Sequence, residues 1–398
     1  MNISKRIQIL VLVLVPSGLL GMENRTPKYF EFPKPTGEYA VGTKLIELTD
    51  ENRPDSVNGE PAKPRRLIVQ AWYPIEGKLD KPTLPYTYEM LKMLKKMLAK
   101  DDAPVSLSNQ LDLIRTYAIS DARVLTDKSK FPIVIFAHGY ATARGEYSSL
   151  CEDIASHGYI VFMVMHTYAT WITRFADGSE TEFVRERSVE AITDCSTDIR
   201  FMLDNVQQGK AFSELTSSCD FNAVGIVGHS LGGIMANHVC RMDSRVKAGI
   251  SLDGPLYGLG ATEPPHKPFM FMLASTFNEM FGDDEALAFA GMTKEEFANC
   301  IDTFCQKNGA NSYKIILKNS EHCTFSDCPI LVNILKEIYK TDDIHLDTGT
   351  IDGLKAIEII RVYIINFFDK YLKDHSSQLL EGQDKRYAEY VDFKRWAK

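Results

Sequence analysis

The sequence predicts a doubly wound, mostly parallel α/β sheet with helices on both faces, and three observations carry that reading. Short, nearly continuous apolar runs alternate with segments of helical spacing, the pattern of strands buried on both faces between covering helices. The 398 residues are 44% hydrophobic, enough for one large core. A Gly-x-Ser-x-Gly stretch sits where one apolar run passes into one helical segment, the place where such sheets keep their chemistry.

In chain order, residues 1–21 read as a secretory signal. Lys5 and Arg6 form a positive start, 7–15 an apolar run too short to span a bilayer, and Ser17, Gly18 and Gly21 a small-residue cleavage zone. Leu19 fits poorly three places before a cut at Gly21, so an uncleaved anchor or buried first helix stays open. Secretion would make Asn24-Arg25-Thr26 a glycosylation acceptor. Residues 22–398 are expected to form a single domain with an N-terminal extension, since no Pro/Gly/Ser-rich linker divides them. Eight cysteines, an even count, fit disulfide pairing outside the cell. For Cys195 and Cys240, both in helical patterns, a buried free thiol is the alternative.

A polar, Pro-containing stretch leads to a first apolar run at 67–72, read as a strand on the antiparallel side of the sheet. The runs 132–137, 159–165, 223–227, 247–252, 268–273 and 313–317 follow as buried strands. Helices are predicted over 147–156, 188–206, 230–241, 293–306, with Thr293 and Glu296 as a capping box, and 351–372.

The formal net charge is −8, with lysine and arginine scattered, which argues against a nucleic-acid partner. No histidine, cysteine or acidic residues stand at zinc or calcium-loop spacing, so the expected chemistry needs neither metal nor cofactor.

Gly228-His229-Ser230-Leu231-Gly232 matches the nucleophile elbow, directly after one predicted strand and before one predicted helix. Small residues two places either side let strand and helix approach around a strained serine. Ser230 needs a base, and a carboxylate to orient that base, in the chain order Ser, acid, His. His322 fits the base: it lies just past the run 313–317, whereas His266 precedes its strand and His345 and His375 lie in a linker and a tail. Asp253 ends the run 247–252 and is the candidate acid, with Glu279 and Asp283 as rivals. The backbone N–H groups of Leu231 and of Tyr140, in His138-Gly139-Tyr140, would form the oxyanion hole.

With these residues placed, the chain resembles the platelet-activating factor acetylhydrolases of the plasma, lipoprotein-associated type, members of the α/β-hydrolase fold. The resemblance runs from about Pro35 onward, through Gly37-Glu38-Tyr39-Ala40-Val41-Gly42, Trp72-Tyr73-Pro74, Pro132-Ile133-Val134-Ile135-Phe136-Ala137-His138-Gly139 and Ala155-Ser156-His157-Gly158-Tyr159. The elbow, Ser251-Leu252-Asp253 and His322-Cys323-Thr324-Phe325 complete it. The family's acid follows its nucleophile by the interval separating Ser230 from Asp253, so the resemblance implies Asp253 as acid and His322 as base. It also implies calcium-independent hydrolysis of phospholipids whose sn-2 acyl group is short or oxidatively truncated, delivered from a lipoprotein or membrane surface. Members carry Leu where Tyr140 stands and a Trp soon after the acid, where this chain has Gly254-Pro255; both departures bear on the acyl pocket.

Over 88–100, Met90, Met93, Leu94, Met97 and Leu98 share one helical face among four lysines, and 330–339 carries a similar stripe. Such faces can lie in a lipid interface or pack on the core. A general carboxylesterase, a serine peptidase of the same fold and a non-catalytic binding module remain the other readings.

Overall fold

The computed structural model describes residues 29–396 except 56–62, 78–80, 83, 101–107, 127–129, 185–187 and 257–262. The expected signal segment and Asn24 lie outside the described residues, as does the side chain of Leu98.

A ten-stranded sheet organises the chain. Its strands are β1 (Ala40–Asp55), β2 (Lys63–Ile75), β3 (Ile119–Ser120), β4 (Phe131–Ala137), β5 (Ile160–Met165), β6 (Cys219–His229), β7 (Val246–Leu252), β8 (Phe269–Ala274), β9 (Ser312–Leu317) and β10 (Val391–Arg395). They lie in the order β10-β9-β8-β7-β6-β4-β5-β2-β1-β3. The six from β9 to β5 are mutually parallel. β2 runs antiparallel to both β5 and β1, and β10 antiparallel to β9.

The continuous apolar runs are explained by what covers them. In β4, Ile133 and Ile135 enter one core cluster with helices α3 (Val189–Gln207), α4 (Leu231–Met242) and α5 (Lys294–Asn308). Val134 and Phe136 face the opposite cluster, with α2 (Ser148–Ser156) and α7 (Gly353–Leu372). Successive side chains leave a strand on opposite faces, so a strand buried on both has no polar positions. Every predicted helix is present within a residue or two, and the Thr293–Glu296 capping box forms.

Three strands of this sheet escaped the sequence reading: β1, the two-residue β3 and β10. β1 is polar and charged along most of its length because it lies one strand from the sheet edge, and β10 is the opposite edge. Such one-sided strands lack the run that announces a buried one.

The apolar stripes also need correcting. The stripe of α1 (Tyr88–Lys100) faces inward: Met90 and Leu94 are 1% and 2% exposed, in a third core cluster with α6 (Cys328–Tyr339) and Ala143 of the loop after β4. Its lysines are engaged as well, Lys92 with Glu180, Lys95 with Asp112 and Lys96 over the Trp171 ring. Met93 and Met97 on the same helix are half-buried, so the stripe faces the interior at Met90 and Leu94.

The disulfides expected from the even count do not form. All eight cysteines are free thiols. Six are buried as small apolar side chains on five elements, Cys300 and Cys305 sharing α5, and Cys323 and Cys328 are half-buried.

Candidate active site

Between β5 and β6 the chain crosses from one side of β4 to the other. That switch point opens a crevice at the strands' carboxyl ends, and the predicted residues gather there. Ser230 follows β6 directly, with φ 57° and ψ −119°, a backbone state that costs about 1–3 kcal/mol. Its N–H donates to the Leu252 carbonyl (2.9 Å), and Gly233 N–H donates to its own carbonyl (2.9 Å). The elbow leaves no space for larger residues. A Cβ on Gly228 would sit 2.1 Å from the Gly232 oxygen, and one on Gly232 1.9 Å from the Ala137 oxygen.

Asp253 follows β7, is wholly buried and also has positive φ (49°). Its Oδ1 accepts the Ala274 N–H (2.7 Å), and its Oδ2 lies 2.6 Å from His322 Nδ1. Carboxylate oxygens only accept, so Nδ1 carries the proton and Nε2 keeps a free lone pair. Glu279 and Asp283, the rival acids, sit on or beside the short helices Phe277–Phe281 and Asp284–Ala290, and Asp283 caps the second through Ala286. At Gly254 the chain passes close to the elbow: a Cβ there would fall 2.6 Å from the Ser230 oxygen.

Ser230 and His322 line one cavity of about 210 Å³, together with Gly139, Tyr140, Met90, Met93, Leu94, Met97, Leu331 and Leu346. The methionines of α1 thus form a wall of the site. Tyr140 borders the cavity and sets its ring edge-on to Phe183 at 4.7 Å. Leu231 opens α4, its side chain buried in the core.

The network behind these residues is invisible in the sequence pattern. Tyr147 hydroxyl accepts the Gly139 N–H (3.1 Å) and so donates to His229 Nδ1 (2.9 Å); His229 Nε2–H then donates to the His322 carbonyl (3.0 Å). One chain of hydrogen bonds joins the oxyanion loop to the base. Burial, then the nearby His322, holds His229 well below the usual imidazole range. His138 is pushed down to about 3 by burial and by His166. It accepts the His166 N–H (3.2 Å) at Nε2 and donates from Nδ1 to the Gly139 carbonyl (2.7 Å). Both imidazoles are neutral braces.

Beside them, His166, Cys195 and Asp198 bring three donor atoms within 4.8 Å of one another, fully buried. Sequence spacing missed this group because it joins the end of β5 to α3. The Asp198 carboxylate is gripped on both oxygens by Arg65 (2.8 and 2.7 Å) and also by Arg53. An ion would have to displace those arginines, and the cluster serves to tie α3 to the sheet. Desolvation disfavours charge on His166, but Cys195 and Asp198 outweigh it and raise the imidazole to about 9.

Buried acids line the other flank. Burial raises Glu146 and Glu152 to about 7 each, against backbone N–H bonds from Ala143 and from Tyr117 and Ala118. Asp327 is also raised by burial. Acids raised on folding stabilise fully below pH 4.5 and lose that contribution as pH climbs through 7; His166 extends the loss to about 9. His138 works in reverse, losing its contribution as pH falls from 6.5 towards 3. Melting temperature is therefore expected to fall between pH 6 and 8.5, each glutamate contributing about 1.4 kcal/mol to the decline over that window. A melting temperature equal at pH 6 and 8.5 in one buffer series would refute this.

A serine on a strained strand-to-helix turn, sharing a cavity with an aspartate-held imidazole at the carboxyl end of a mostly parallel sheet, defines an α/β-hydrolase of the ester-hydrolase class. The ferulic acid esterase of Streptomyces cinnamoneus shares the architecture, with TM-score 0.72 and 27% identity over 92% of this chain and all of that one. The profile of the family described as platelet-activating factor acetylhydrolase, isoform II, matches residues 26–210 and 187–386, and the chain belongs to that family. Among its relatives, a protein of Arthroderma benhamiae named probable 1-alkyl-2-acetylglycerophosphocholine esterase is 27% identical over 92% of this chain and 94% of its own. The platelet-activating factor acetylhydrolase of Cavia porcellus is 26% identical over 64% of this chain and 62% of its own.

Proposed function

We propose that the chain hydrolyses the sn-2 ester of phospholipids bearing a short or oxidatively truncated acyl group, 1-alkyl-2-acetylglycerophosphocholine among them, without calcium. The observation that carries the chemistry is the 2.6 Å contact of His322 with Asp253 in the cavity lined by Ser230.

His322 Nε2 takes the Ser230 proton as Oγ attacks the sn-2 carbonyl carbon. The oxygen of the tetrahedral intermediate is met by the N–H groups of Leu231 and Tyr140, each donor contributing about 3 kcal/mol. Collapse breaks the ester bond, and His322 gives the proton to the departing lysophospholipid oxygen. A water molecule, deprotonated by His322, then frees the acyl group from Ser230. Asp253 holds the imidazole's tautomer and steadies its cation without taking the proton.

The fold neighbour acts on another ester, which gives a second reading, a general carboxylesterase. Hydrolysis of two phosphatidylcholines in chelator, one with an sn-2 acetyl group and one with a long sn-2 chain, separates the two. The proposal expects rapid release of acetate alone. Turnover of an aryl ester with neither lipid cleaved would leave the general esterase.

A further inference from the structure

Two groups of the proposed chemistry must stand at fixed places, the Tyr140 N–H and the His322 ring, and they sit on loops that follow different strands, β4 and β9. Gly139 decides where the first of them points. Lacking a Cβ, it leaves the peptide that carries the Tyr140 N–H free to swivel unless its own polar groups are held. The Gly139 carbonyl lies on the opposite side of that peptide from the Tyr140 N–H, and it accepts His138 Nδ1–H (2.7 Å) and the Thr142 hydroxyl (3.0 Å). The Gly139 N–H is held by the Tyr147 hydroxyl (3.1 Å). Tyr147 is itself wholly buried, its ring 4.8 Å from Phe136 of β4.

The same hydroxyl decides the state of His229. A backbone N–H can only donate and a carbonyl can only accept. The chain from Gly139 through Tyr147 and His229 to the His322 carbonyl therefore runs in one direction, with the His229 proton on Nε2. The other tautomer would turn a lone pair against the His322 carbonyl and leave the Tyr147 proton without an acceptor along the chain. A doubly protonated ring would strand that proton too. The His229 and His322 rings lie 4.5 Å apart, centre to centre. A cation at His229 would oppose the imidazolium that His322 becomes during the reaction.

We propose that Tyr147 is a positioning residue for the ester hydrolysis: through Gly139 it aims the oxyanion donor, and through His229 it sets the base opposite that donor and keeps the base's neighbour neutral. It acts only through these two residues, from behind the cavity wall. The inference rests on the serine ester chemistry proposed above and holds for a phospholipid or a simple ester alike.

The test is Tyr147→Phe, which deletes one oxygen and keeps the ring, assayed with p-nitrophenyl acetate. Acylation and deacylation both use the oxyanion donor and the base, so kcat is expected to fall about tenfold or more. KM should stay within about twofold of wild type, with active sites counted by fluorophosphonate labelling of Ser230 run to completion. The second readout is an alkyl trifluoromethyl ketone. Ser230 Oγ bonds to its carbonyl carbon, the serine proton passes to His322, and the carbonyl oxygen becomes an oxyanion at the Leu231 and Tyr140 N–H groups, so binding reports the arrangement without turnover. Its affinity should fall by the same factor as kcat/KM. His229→Gln, which keeps a side-chain N–H for the His322 carbonyl, should retain more kcat than His229→Leu. A kcat for Tyr147→Phe within about twofold of wild type overturns the proposal. So does a loss confined to KM, a loss with ketone affinity unchanged, or equal losses in the two His229 variants. If the wild type neither cleaves the aryl ester nor binds the ketone, it is the serine ester chemistry that fails.

Discussion

Replacing Ser230 with alanine is expected to lower kcat for ester hydrolysis by about a millionfold while the protein stays folded. Alanine must occupy the same positive-φ turn (57°) that serine does, so the substitution removes Oγ without relaxing the elbow. The loss is this large because nucleophile and base work as one device: without Oγ, His322 and Asp253 have no proton to move. Single-turnover acyl release, with circular dichroism as the fold control, measures it. A variant within a hundredfold of wild type would place the nucleophile elsewhere.

For Asp253→Asn the expected loss is about ten-thousandfold in kcat, with KM nearly unchanged. Asp253 accepts on both oxygens, from Ala274 N–H and from His322 Nδ1. An amide has one accepting oxygen. If that oxygen stays on Ala274, the NH2 group faces Nδ1 and drives the imidazole proton to Nε2, where it blocks the serine. Asp253→Ala separates this effect from simple destabilisation, because it also orphans the buried Ala274 N–H at about 1–3 kcal/mol. Equal melting temperatures and equal kcat for Asn and Ala variants would contradict the tautomer argument.

The parallel core was legible because each of its strands is buried on both faces, which leaves a run of apolar residues no helix or loop would carry. The elbow was legible for a related reason: sterics around Gly228 and Gly232 admit so few residues that the motif is almost a record of the geometry. Asp253 was not separable from Glu279 and Asp283 by spacing, since all three follow strands at the same rim. The inward turn of Met90 and Leu94 on α1 was hidden because periodicity shows which residues share a face and is silent on what that face meets; here it meets a core cluster that also holds residues of α6. The bracing contacts of Tyr147 and His229 left no trace in the pattern. Their roles come from contacts between residues far apart in the chain, such as the His229 ring and the His322 carbonyl.

Three residues of the site, Ala141, Ser230 and Asp253, hold φ between 49° and 57° without being glycine. At each, glycine would fit the backbone more comfortably. A search for stabilising substitutions guided by backbone preference alone would therefore nominate the nucleophile and its acid among its first choices. The chain holds the less comfortable residue at each, so part of its folding stability is given up for a site already in shape before substrate arrives.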